Sequence, residues 1–462
     1  MRLKLLIVAF GLIFTAQAQE MLTYQEYMIW VREYHPVARQ ADVTLRFGDQ
    51  ELLAARGGFD PVAFMDINAK RFRDTDYYDR RTAGVTVPTW GGVELKAIGE
   101  QNRGVFLNPE YRTPESGLLA LGASVNIGQG LFIDRRRAAL RQAQIYRDAT
   151  RAERELILND LYLDATDIYW QWAADYNNLE VLREGLRLAE MRFEMVRESF
   201  IQGDFPAIDT VEAYTQVMDR QYRFQQAEIN FFQSTQMVNT FLWDANEDPA
   251  ELAAGVFPEN VLDPVVFDYN VSSLREYVAS HPELQLTDFD IATLEVERRF
   301  RAEMLKPVLK VDYNFLTTSI NELPETSSFF VNDYKWGLTI ATPLFLRRER
   351  GNLGFTKARL DYKNYQRDLK FVQLRNKLEN EIFNFETVEQ QLVTFTNNVT
   401  GLQRLLDGEM MRFEIGESSL FLVNAREVSL FQAQQTLNDL AAKRKTAYAK
   451  MLNAAGLGFD PQ

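Results

Sequence analysis

The chain has 462 residues, a formal net charge of −14 and no cysteine. That length exceeds one ordinary core, and the acidity argues against nucleic acid and against a polybasic binder of membrane surfaces. Without cysteine, neither a disulfide framework nor a thiolate metal site can be built.

The opening stretch "MRLKLLIVAFGLIFTAQAQE" carries Arg2 and Lys4, an apolar run from Leu5 to Phe14, and then Ala16-Gln17-Ala18. A basic start, a short apolar run and an A-x-A site predict a secretory signal over 1–18, too short for an anchor. The mature protein is then expected to begin near Gln19, outside the cytoplasm, and without the cysteine that lipid anchoring requires. No later apolar stretch reaches the roughly 20 residues of a spanning helix, so a membrane-resident form would have to be a β-barrel.

Residues 22–56 predict a helix with Leu22, Tyr27, Trp30 and Val31 on one face, stopped by Gly57-Gly58. Strands and turns follow to about residue 130. From Asp134 to about Phe200 there is no proline and only one glycine, Gly185. A helix of that extent is roughly 100 Å long and needs neighbours, as in a coiled coil or a helical barrel. "FIQGDFPAID" (200–209) breaks it, and Pro206 suits the first turn of a returning helix that runs to about Trp243. Pro249, Gly255, Pro258 and Pro264 predict a linker over 246–270. The plan then repeats: helix over 272–304, strands over 307–345, a second long helix over 352–412, a break at "FEIGESS" (413–419), and a last helix to about Ala455.

The repetition is visible residue by residue. The only two histidines, His35 and His281, each precede a proline. Displacing the chain by 246 positions lays His35-Pro36 on His281-Pro282, Pro61-Val62 on Pro307-Val308, Asp66 on Asp312 and Asn68 on Asn314. Further along, a displacement of 213 lays Leu131-Phe132 on Leu344-Phe345 and Phe200-x-x-Gly203 on Phe413-x-x-Gly416. Two structural repeats follow, 19–245 and 271–462. The difference between the displacements falls in the strand region. There "TAGVTVPTWGGVELKAIG" (82–99) has no second copy, and fits either lengthened strands or an exposed loop.

Four strands are predicted, over 61–70, 118–127, 307–316 and 329–340. Each alternates an apolar set with a polar one: Ala63, Met65, Ile67 and Ala69 against Asp66, Asn68 and Lys70 in the first, Leu309, Val311, Tyr313 and Phe315 against Lys310, Asp312 and Asn314 in the third. In the last, Phe330, Tyr334, Trp336, Leu338 and Ile340 alternate with Val331, Asp333, Lys335, Gly337 and Thr339. Runs of about ten residues match a bilayer at barrel tilt. An antiparallel sheet on a soluble core gives the same alternation, but aromatics toward the run ends and very long helices beside so few strands favour the barrel. Four strands cannot close a barrel alone, so several chains are required.

The signal, the duplicated helix–strand–strand–long-helix–helix halves and the Phe-x-x-Gly breaks together resemble the TolC-like outer-membrane efflux protein family. "GGFDP" (57–61) and "NIGQGLFIDRRRAALRQAQ" (126–144) are similar to one subgroup of it. The resemblance covers the whole mature chain. It implies a mainly α protein with membrane β-structure, a homotrimer whose twelve-stranded outer-membrane barrel takes four strands per chain and continues into a periplasmic α-helical barrel. It implies an exit duct of a tripartite efflux or type I secretion system, joined by a periplasmic adaptor to an inner-membrane pump of RND or ABC type. Carried across, the adaptor-docking tip comprises Phe200, Gly203, Asp204, Phe413, Gly416 and Glu417. A tip constriction comprises Asp209, Phe421 and Asn424, although Asp209 fits a solvated helix face equally well. Asp66, Asn68, Lys310, Asp312 and Asn314 become lumen-facing strand residues. Arg135, Arg136 and Arg137, with Arg347, Arg348 and Arg350, stand at the periplasmic boundary. No nucleophile motif, phosphate loop or metal signature is present, so neither catalysis nor a cofactor is expected. The competing expectations are a soluble periplasmic coiled-coil scaffold and an acid–base enzyme.

Overall fold

Thr23 caps the first helix reciprocally: its hydroxyl accepts from the Glu26 backbone N–H at 3.2 Å, and the Glu26 carboxylate accepts from the Thr23 backbone N–H at 3.1 Å. A computed structural model describes residues 20–318 and 333–458. The expected signal and the expected strand positions Phe330 and Val331 lie outside them. Helix α1 (Tyr24–Tyr34) stops at His35, whose ψ of 134° is extended, and Pro36 opens α2 (Pro36–Gly57). The second copy does the same. After α5 (Val271–Tyr277) and one 3₁₀ turn, His281 is extended at ψ 133° and Pro282 opens α6 (Pro282–Glu303). The helices expected as single pieces over 22–56 and 272–304 are therefore each interrupted, because proline drives the residue before it out of the helical region.

The duplication holds in the later helices. Helices α2 and α6 have 22 residues each, and α3 (Arg135–Gln202) and α7 (Arg347–Glu414) have 68 each. Returning helices α4 (Ala207–Asn239) and α8 (Leu420–Ala454) start at equivalent positions. The chain divides into two compact units, each drawn from both halves. One contains Glu155–His281 with the stretch ending at Asp42 and the stretch from Phe371 onward; the other contains Val43–Arg154 and Pro282–Lys370.

The first unit is helical around an aromatic core. Tyr27, Met28 and Val31 of α1 pack with Tyr169, Trp170 and Trp172 of α3, with Val238 and Leu242, and with Ala441 and Ala442 of α8. The Tyr169 hydroxyl donates to the Leu22 carbonyl at 2.7 Å, and Trp172 Nε1 donates to Thr235 Oγ1 at 2.9 Å. Ala250, Leu252, Val256 and Val261 anchor the segment 246–270 to this core. Strand β1 (Met21–Leu22) pairs in parallel with β6 (Phe257–Pro258), Val261 is buried, and Phe267 stacks on Tyr448 at 4.3 Å. Proline and glycine density suggested a linker, but the apolar residues between them tie the segment down.

Lys445 of α8 is set into the same core. Its Nζ lies 3.7 Å from the Trp170 ring centroid, only 5% of the residue is exposed, and Nζ has no hydrogen-bond partner. Burial pulls its pKa down from the ordinary lysine value to about 8, against the opposing pull of Glu259 and Asp263. Unfolded chains hold this proton up to about pH 10.4, so the ammonium costs stability fully below pH 8, and that cost is relieved as pH rises from 8 to 10.4. Lys445→Met is expected to stabilise the protein by about 2–3 kcal/mol at pH 7 and to flatten its unfolding free energy between pH 8 and 10. Chemical denaturation across that pH range measures both.

The second unit holds an antiparallel sheet of six strands in the order β2 (Val62–Phe72), β3 (Thr75–Pro88), β4 (Val93–Arg103), β5 (Leu118–Asn126), β7 (Val308–Thr317), β8 (Tyr334–Ala341). Four were expected. The unmatched segment 82–99 supplies the other two, inserted between the two strands of the first half. Arg73 and Asp74, both at positive φ, form the tight turn between β2 and β3, the conformation that suits strand twist. The β3–β4 turn lies at the opposite end, where Trp90 stacks face to face on Phe59 at 4.6 Å.

Candidate functional site

The strand registers assign every alternating position to one of two faces. Across the sheet, Ala63, Val85, Ala97, Leu121, Phe315 and Tyr334 form one cross-strand row, and Val87, Leu95, Ala123, Tyr313 and Trp336 form the next. Within the described residues, the apolar sets of the predicted strands fall on this one face. Met65, Ile67, Trp336 and Ile340 are each more than half exposed on it. Toward the β2–β3 turn the same face becomes polar at Arg81 and Gln101, then at Asp79 and Arg103.

The other face collects the five residues expected to line a lumen. Asp66, Asn68, Lys310, Asp312 and Asn314 share it with Arg80, Glu94, Lys96 and Glu100. Lys96 donates to Asp312 Oδ1 at 3.1 Å, and Lys310 Nζ lies 3.6 Å from the same oxygen. Such part-exposed pairs add little stability but set a wet, charged surface. The segment between β4 and β5 folds over this face: the Arg80 guanidinium lies 4.1 Å from the Tyr111 ring centroid, and Asn102 Nδ2 donates to the Tyr111 carbonyl at 2.9 Å. At the sheet's other end Asp134 Oδ1 accepts from the Arg137 backbone N–H at 2.8 Å, and Arg137 Nη1 donates to the Leu131 carbonyl at 3.0 Å. Arg136 stands 3.6 Å from Glu94 of β4. The arginine run is thus joined to the strand bases.

In the helical unit the two breaks are built alike. Gly203 has φ +88° and Gly416 φ +77°. Gly203 N–H donates to the Phe200 carbonyl and Asp204 N–H to Ser199; Gly416 N–H donates to Phe413 and Glu417 N–H to Arg412, all within 3.0 Å. These are glycine-ended helix caps of the same kind. They lie side by side, because Phe205 stacks with Phe413 at 6.2 Å over Val196, Ala213 and Leu420. The repeated phenylalanines differ in setting: Phe413 packs inward, whereas Phe200 is 43% exposed among exposed Ile201, Ile208, Ile415 and Phe421. No atom lies within 4 Å of where a Cβ would stand on Gly203 or Gly416, so only backbone conformation requires glycine there. Gly203→Ala and Gly416→Ala are each expected to cost about 1–2 kcal/mol. Gly401→Ala, in open space on α7, is expected to gain up to about 1 kcal/mol. Equilibrium unfolding of the three variants tests the contrast.

Of the residues expected to narrow this end, Phe421 is 66% exposed and Asp209 is half-buried. Asn424 is corrected. It is 5% exposed, accepts from Arg192 Nη1 at 3.1 Å and reaches Glu212 Oε1 at 3.4 Å, so it belongs to the packing between α3, α4 and α8.

Its neighbours form a charged cluster that sequence reasoning missed. Arg192 makes a two-pronged contact with Glu427, Nη1 to Oε2 at 2.9 Å and Nη2 to Oε1 at 2.5 Å. Arg220 Nη2 lies 3.9 Å from the same carboxylate, and its guanidinium carbon 4.9 Å from the Phe431 ring centroid. Burial depresses the Arg220 guanidinium below its ordinary value despite Glu427. The signal was present: Glu427 follows Leu420 and Val423 and precedes Leu430 and Leu437 at seam spacing, a charge in an apolar register. Among the described residues no group of three or more histidines, aspartates or glutamates is placed to hold a metal ion.

No family model and no curated protein matches the chain. Solved structures do. The CmeC outer membrane channel of Campylobacter jejuni superposes with a TM-score of 0.65 at 13% identity, covering 94% of this chain and 86% of that one. CusC gives 0.65 at 14% identity over 97% and 96%, and VceC of Vibrio cholerae 0.65 at 13% over 94% and 96%. At such identity the likeness is one of fold.

Proposed function

We propose that this protein, whose fold is that of the TolC-like outer-membrane efflux channels, is an outer-membrane exit duct. Substrate would pass through it passively from an inner-membrane pump, of RND or ABC type, joined through a periplasmic adaptor. One observation carries the proposal. A six-stranded sheet presents an apolar band on one face, exposed most fully on β2 and β8, and a charged surface on the other, and among the described residues its end strands β2 and β8 have no partner on their outer edges. Such a sheet is stable in water only if its apolar face and both edges are covered. Lipid covers the face, and pairing of β8 with β2 of the next copy, antiparallel because the strand number is even, closes the edges.

A second exposed surface agrees with three copies. On α4, Ile208, Val211, Met218, Tyr222, Ile229 and Phe232 are all more than 40% exposed and recur at seam spacing. A neighbouring copy covers that stripe. The turn ends, with Phe200, Gly203, Asp204, Phe413, Gly416 and Glu417, are the adaptor-docking surface, and Asp209 and Phe421 remain the constriction candidates. No helix among the described residues is long and apolar enough to cross a membrane.

Fractionation of cells making the full chain tests the proposal against a soluble scaffold. The duct should sediment with outer membrane, resist an alkaline wash, and leave it only in detergent with the mass of three copies. Release by buffer as a monomer would refute it.

A further inference from the structure

We propose that the inserted hairpin β3–β4 spans the membrane, so that the barrel has eighteen strands, six from each of three copies, and a wider wall than a twelve-strand barrel. The inference rests on the duct reading and adds its strand number. Three features place the hairpin in the wall rather than outside the cell. First, it lies between β2 and β5 and pairs with both, with one register shift at Lys70/Arg71, so β2 joins the rest of the sheet only through it. Second, its side chains continue both surfaces. Ala83, Val85 and Val87 with Leu95 and Ala97 extend the apolar band, while Thr82, Thr86, Lys96 and Glu100 extend the polar face. Its polar positions on the apolar face begin at Arg81 and Gln101, one step beyond the Met65, Ala83, Gly99 and Leu119 row. Third, its turn sits at the helix end of the sheet, where Trp90 stacks on Phe59 and Glu94 faces Arg136. An extracellular extension would hang from the opposite end.

Barrel diameter grows about linearly with strand number, and sixteen to eighteen strands leave an aqueous channel. With strands about 4.8 Å apart at about 40° tilt, eighteen give a backbone diameter of about 36 Å and twelve about 24 Å. The segment between β4 and β5, folded over the polar face at Tyr111, takes up part of that extra width.

The cysteine-free sequence allows a direct test. Single cysteines replace Thr82, Ala83, Val85, Thr86, Ala97 and Glu100 in the full chain, reconstituted as the detergent-extracted trimer into liposomes, and react with a membrane-impermeant maleimide. Leu338→Cys and Thr339→Cys on β8 serve as references. Labelling at 82, 86 and 100 with protection at 83, 85 and 97 is the expected result. Labelling at all six would put the hairpin in water, and protection at all six would put it inside protein; either overturns the proposal while the duct reading stands. Absence of alternation at 338 and 339 as well would overturn the barrel itself.

Discussion

Glu427→Ala is expected to cost about 3–5 kcal/mol of folding stability. The carboxylate is 2% exposed and faces two guanidinium groups, Arg192 and Arg220, whose side chains are only 10% and 3% exposed. Removing it takes the main counter-charge from both buried cations, leaving Arg220 only the weaker pull of Asp219, and strips Arg192 of two charge-assisted hydrogen bonds. Glu427→Gln keeps the shape and part of the hydrogen bonding and should cost less than alanine. Replacing all three charges together, with Leu at 427 and Met at 192 and 220, should recover most of the loss, since apolar packing often equals a buried ion network. Denaturant unfolding followed by circular dichroism compares the variants. A loss below about 1 kcal/mol for Glu427→Ala would mean that water reaches the cluster.

The second large effect concerns adjacent residues on one strand. Leu338→Arg places a guanidinium on the apolar face of β8, whereas Thr339→Arg places it on the polar face. In a barrel, arginine on the lipid side costs up to about 2–4 kcal/mol per copy, and so about three times that in a trimer, while a luminal arginine costs almost nothing. Leu338→Arg should abolish recovery of trimer from outer membrane, and Thr339→Arg should leave it near the parent level. Both positions are exposed in one chain, so a soluble sheet would tolerate the two alike. Equal recovery would therefore contradict the barrel.

Much of this architecture is legible in the sequence because duplication states each element twice. Pro36 and Pro282 open helices of identical length, and the Phe-x-x-Gly breaks recur with the same hydrogen bonds. Gly203 and Gly416 could be identified because positive φ leaves few alternatives to glycine. The inserted hairpin was harder to place. Asp79, Arg80 and Arg81 interrupt its alternation where β3 passes beyond the apolar band, and a single sequence does not say where the band ends. The prolines of 246–270 do not announce the anchoring of Val261 and Phe267, which depends on distant helices. Asn424 was misplaced because its role turns on helix phase: the face it occupies is the seam with α3 and α4, not an open surface. The same seam hid Glu427, whose meaning appears only when Arg192 and Arg220 are brought to it from other helices.

Single-channel recording in planar lipid bilayers, on detergent-purified protein whose mass has been established, tests the duct most directly. Discrete, stable conductance steps are expected from particles with the mass of three chains, and no conductance from the Leu338→Arg protein. A water-soluble monomer that leaves the bilayer silent would contradict the duct, and would return the apolar sheet face and the α4 stripe to the packing of a periplasmic scaffold.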